Sequence, residues 1–80
     1  MTYEEIEKRA TLIFRDVLDN DKIVLKRTTT AGDVEGWDSL SHVNIIVAIE
    51  KEFKIRFDLA ELKPLQNVGA LLDLVQKKAA

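Results

Sequence analysis

The stretch Gly36-Trp37-Asp38-Ser39-Leu40 offers the most chemistry in this 80-residue chain. A serine directly after a capping aspartate, with an apolar run behind it, belongs in the first turn of a helix. Its hydroxyl would stand at a surface corner that another enzyme can reach. Unpaired N–H groups and the positive dipole end at a helix N-terminus favour a phosphate. A phosphodiester on Ser39 would be well placed there. Many aspartates and serines in such positions only start helices, so position alone leaves both readings open.

Other chemistries find less support. Ser39 and His42 are three apart and would share a helix face, the arrangement of a nucleophile and its base. No acid is placed to orient His42, no Gly-x-Ser-x-Gly elbow occurs, and 80 residues leave little room for a substrate cleft. The chain is therefore not expected to be an enzyme. Cysteine is absent and His42 is the sole histidine, which excludes a disulfide framework and a zinc site. A helical adaptor that binds a partner and carries nothing is the remaining alternative.

Composition narrows the class further. A hydrophobic share of 46% with 32% charged residues fits a soluble globular chain. The net charge of −2 gives no support to a nucleic-acid binder. Lys26-Arg27 and Lys77-Lys78 read as solvated surface pairs. No targeting segment is evident at Met1–Glu5, and the longest apolar run, Ile45 to Ile49, is too short to enter and span a membrane. A cytoplasmic monomer with a single domain over residues 1–80 is expected.

The elements that would position Ser39 are helical. Thr2-x-x-Glu5 reads as a capping box, and Ile6, Ala10, Ile13, Phe14 and Val17 recur at helical spacing, placing helix 1 at about residues 3 to 18. Asp19-Asn20-Asp21 ends it. Residues 20 to 37 form a long loop, with Ile23, Val24, Leu25 and Val34 expected to pin it to the core. From Ser39 to Phe53 no Gly or Pro interrupts helix 2. Its apolar residues cover most of the circumference, which predicts a central helix touched by every other one. Asp58-x-x-Glu61 opens a short helix 3 that Pro64 limits. Asn67 can cap helix 4, whose apolar residues are Val68, Leu71, Leu72 and Val75. The fold class is all-α: a four-helix bundle with a short third helix and a long loop between helices 1 and 2.

Within this frame Asp38-Ser39-Leu40 resembles the signature of the acyl carrier protein family. Glu50-Lys51-Glu52-Phe53 resembles the end of that family's second helix. Ile55 and Phe57 resemble its extended link, and Asn67-Val68 the start of its last helix. The resemblance covers nearly the whole chain. It implies that Ser39, flanked by Asp38 and Leu40, accepts 4′-phosphopantetheine from a phosphopantetheinyl transferase. The arm's thiol would carry an acyl or aminoacyl group between loading and transferring enzymes of fatty-acid, polyketide or other specialised biosynthesis. Partner contacts are expected at Trp37, Ser41, His42, Asn44, Glu50 and Lys51. Several of these stand where acids or small residues are frequent in the family, and Trp-Asp-Ser-Leu resembles carriers of specialised pathways. Trp37 is first expected to pack the loop onto the core, and His42 to be an exposed helix residue. Val43, Ile46, Val47, Leu62 and Leu72 are expected first as core, and second as the lining of an acyl slot between helices.

Overall fold

A computed structural model describes residues 1–79 of the chain. Thr2 Oγ1 accepts from the Glu5 N–H at 3.2 Å and opens α1, Tyr3–Val17. The return half of that capping box is not made, because the Glu5 carboxylate pairs with Arg9 one turn on. α1 ends where Asp19 turns left-handed, with φ of 50°. After the long loop come α2, Ser39–Phe53, α3, Leu59–Leu62, and α4, Val68–Ala79. The loop includes a single 3₁₀ turn, Ala31–Asp33. No strand occurs among the described residues, so the all-α architecture stands as expected.

α1, rather than α2, is the helix that packs extensively on two others, α2 and α4. The buried stripe of α2 is Ile45, Ile46, Ile49 and Phe53. Its remaining apolar residues do not cover a neighbour: Leu40, Val43 and Val47 are 75%, 57% and 41% exposed. Spaced at three and four, they form a second stripe that faces solvent. The wide apolar circumference therefore marks one core face and one exposed face, rather than a helix surrounded by protein. Ile6, Phe14, Ile45, Ile49, Leu72 and Val75, all fully buried, form the centre of the core.

The long loop is fastened to α4. Ile23 and Leu25 are buried as expected, whereas Val24 between them points outward, as alternation in an extended segment requires. The N–H groups that begin α4 have no carbonyl within their own helix. Those of Val68 and Gly69 instead donate to the backbone oxygens of Thr29 and Arg27, at 2.8 and 2.9 Å. Asn67 Oδ1 takes the Ala70 N–H at 2.8 Å. Arg27 is not merely solvated: it makes a two-pronged pair with Asp73 at 3.0 and 2.7 Å and lies over the Tyr3 ring. Asp73 is held below the usual carboxylate range by that hydrogen bond. Lys78 likewise reaches Glu61 at 2.9 Å and ties α4 to α3.

Gly69 makes the close approach possible. A Cβ there would lie 2.8 Å from the Arg27 carbonyl oxygen and 3.1 Å from its Cα. Gly69→Ala is expected to lower stability by about 1–3 kcal/mol, although Ala is the better helix former by about 1 kcal/mol. Urea unfolding followed by circular dichroism measures the difference. A stabilised variant would show that helix propensity, rather than the loop contact, governs this position.

Candidate functional site

The start of α2 is set by a reciprocal cap. Asp38 Oδ1 accepts from the N–H groups of Leu40 and Ser41, at 3.1 and 2.9 Å. Ser41 Oγ accepts from the Asp38 N–H and donates to the Gly36 carbonyl, both at 2.8 Å. The Ser41 hydroxyl is thus an internal strut of the helix start. Ser39, at the first helical position, is exposed. Its Oγ makes no hydrogen bond to any described residue. The expectation of several free N–H groups for a phosphate needs correcting, since the Asp38 carboxylate already holds those of Leu40 and Ser41. What remains for an anion is the dipole end and the open face around Ser39.

Trp37 and His42 form a second contact beside the cap. Trp37 packs edge-on against the buried Phe14, ring centroids 4.8 Å apart, and so fastens the loop to the core as expected. Its Nε1–H donates to His42 Nδ1 at 3.1 Å. His42 is half-buried and engaged, rather than an exposed helix residue. With Nδ1 accepting, the imidazole proton sits on Nε2. Nδ1 is spent on Trp37, and no described side chain links Ser39 to His42 or orients His42 as a base.

A cavity of about 450 Å³ opens at this corner, lined by Trp37, Ser39, His42, Leu65, Gln66 and Leu71 among others. None of Val43, Ile46, Val47, Leu62 and Leu72 lines it. Val43 and Val47 face solvent, Ile46 and Leu72 are closed in the core, and Leu62 is half-buried. The cavity lies instead between the start of α2 and the segment that leads into α4. Of the expected partner contacts, Asn44 and Lys51 are exposed. Glu50 is half-buried, and its carboxylate accepts from the Phe57 N–H at 2.9 Å, which anchors the link to α3. Leu40, expected only as part of the attachment signature, is among the most exposed apolar residues. Its exposure was legible only as one member of an over-wide apolar pattern.

Comparison with known proteins supplies the family. Residues 10–75 match the phosphopantetheine attachment site family. The acyl carrier protein of Thermosynechococcus vestitus is 32% identical over all of this chain and 99% of its own length. That of Thermotoga maritima is 29% identical over 94% of this chain and 93% of its own length. The solution structure of holo acyl carrier protein from Geobacter metallireducens is 55% identical, with a TM-score of 0.86. That match spans 91% of this chain and 84% of that one.

The chain belongs to the acyl carrier protein family. Phosphopantetheine, held covalently, is the cofactor of such a domain. The corner described above fits it, since an uncommitted hydroxyl stands exposed at a helix start beside an open cavity.

The cap also gives the family site a pH dependence. Hydrogen bonds from Ser41, with a further one from Leu40, hold the Asp38 carboxyl below its ordinary value of 3.8. Its folded value being depressed, its contribution is complete above the ordinary value and is lost as pH falls through the lower folded one. Asn is an equally good cap that does not titrate. Wild type is therefore expected to lose more stability than Asp38→Asn between pH 7 and pH 3. Denaturant unfolding at both pH values checks this, and equal losses would remove Asp38 as the source.

Proposed function

We propose that this chain carries acyl or aminoacyl intermediates on a phosphopantetheine arm attached to Ser39. The observation that carries the assignment is the contrast between the chain's two serines. Ser41 Oγ is fixed by bonds to Asp38 and Gly36, whereas Ser39 Oγ is exposed and uncommitted. No side chain among the described residues is hydrogen-bonded to Ser39 Oγ to take its proton. That proton transfer therefore falls to the phosphopantetheinyl transferase, and the carrier itself contributes a positioned nucleophile. The arm's thiol, once in place, holds cargo as a thioester, which a cysteine-free chain cannot do with its own side chains.

The partner enzymes are acyl- or aminoacyl-loading and transferring enzymes of a specialised pathway, working on a monomeric cytoplasmic carrier. The exposed stripe Leu40, Val43 and Val47, with Asn44 beside it and Lys51 one turn on, is the surface we assign to them. Lys51 is exposed along that line, so encounters gain less from basic patches on partners than an acidic carrier would.

Ser39→Ala should fold, since Ala suits a helix, and should gain no mass with coenzyme A and a broad-specificity transferase. Ser41→Ala should gain the mass of a single phosphopantetheine, even though its helix start is weakened. Intact-protein mass spectrometry reads both. Arm mass on Ser39→Ala would refute the assignment.

A further inference from the structure

We propose that the Trp37–His42 pair sets the limit on how long an apolar cargo the cavity beside Ser39 accepts. The inference rests on the reading of Ser39 as the attachment point. Trp37 lines the cavity, and its ring also meets Phe14 edge-on at 4.8 Å. Phe14 has no exposed surface and belongs to the core. The indole therefore stands between the cavity and Phe14, beside the core residue Leu71, which also lines the cavity. Leu65 and Leu71 supply apolar lining, with Gln66 and Asn67 also present, so an alkyl chain can enter and the carbonyl end can stay near polar groups.

The indole is held in place from α2. Trp37 Nε1 is bonded to His42 Nδ1 at 3.1 Å, and the two rings stack with 26° between their planes and centroids 6.0 Å apart. His42 also lines the cavity. Trp37 lies in the loop, outside any helix, so the bond and the stacking with His42 add to the Phe14 contact in fixing its ring. His42 acts here as a positioning residue, through the indole. Each methylene that finds apolar burial shifts the seated-to-free equilibrium about fourfold. A methylene that meets the indole gains nothing unless the ring is displaced. Protection of a thioester cargo should thus rise with chain length and then level off where the chain reaches Trp37.

The test loads the arm with a ladder of saturated acyl groups onto wild type, Trp37→Ala, His42→Ala and His42→Gln. Loading is checked first by intact mass, and folding by circular dichroism. Thioester cleavage by hydroxylamine is then timed for each chain length. In wild type, cleavage should slow about fourfold per added methylene and reach a plateau. Trp37→Ala should move the plateau to longer chains. His42→Ala should move it the same way by less, and His42→Gln, which restores an acceptor to the indole N–H, should move it back. The indole N–H resonance should shift in His42→Ala and return toward wild type in His42→Gln. If Trp37→Ala does not fold, the two His42 variants decide alone. A plateau at the same length in all folded variants, or no dependence on length in wild type, overturns the proposal while leaving Ser39 in place. Failure of wild type to take the arm overturns the attachment reading and this proposal together.

Discussion

The reciprocal hydrogen bonding between Asp38 and Ser41 is the constraint from which the site follows. It decides where α2 begins, and so puts Ser39 at the first helical position with its hydroxyl outward. It occupies the second serine, leaving a single free hydroxyl at the corner. It also fixes the direction in which the chain arrives. Trp37, one residue before the cap, turns back to Phe14, and His42, one turn into the helix, meets its indole N–H. A carrier needs a hydroxyl that a large enzyme can reach on a helix that does not move. The cap turns that hydroxyl outward and ties down the start of the helix with backbone amides and two short side chains.

The long loop before the cap is part of the framework that holds it. A domain of this length buries a modest share of its surface, and the chain has no cysteine from which to build a disulfide. The loop compensates by giving its own carbonyl oxygens to the first N–H groups of α4. Gly69 is required there because the Arg27 backbone passes where a Cβ would be. Arg27 then reaches Asp73 further along α4 and covers Tyr3 on α1. The same loop ends in Trp37, so the fastening of α4 and the wall beside Ser39 belong to one continuous segment.

Much of this was legible in the sequence. Caps at Thr2, Asp38, Asp58 and Asn67 and the helical spacing of apolar residues gave four helices with close bounds. The Asp38-Ser39-Leu40 context singled out the serine that we propose as the attachment site. What escaped was whatever depends on two segments meeting. Composition shows that α2 is apolar nearly all round, but it cannot separate the buried Ile45, Ile46 and Ile49 from the exposed Leu40, Val43 and Val47. The pairing of Trp37 with His42 has a spacing of five, which neither a helix nor a strand pattern marks, because one partner lies outside the helix. Arg27 and Lys78 looked like surface charges because their carboxylates, Asp73 and Glu61, are distant in sequence. The cavity went to a different set of residues for the same reason: it forms between the start of α2 and the approach to α4.

The central claim is that local geometry at the start of α2 selects one hydroxyl for the arm. The most direct test is to load wild-type protein to completion and locate the arm by fragmentation mass spectrometry. Every modified fragment should place it on Ser39. Any arm found on Ser41, or on Thr28, Thr29 or Thr30 in the loop, would contradict it.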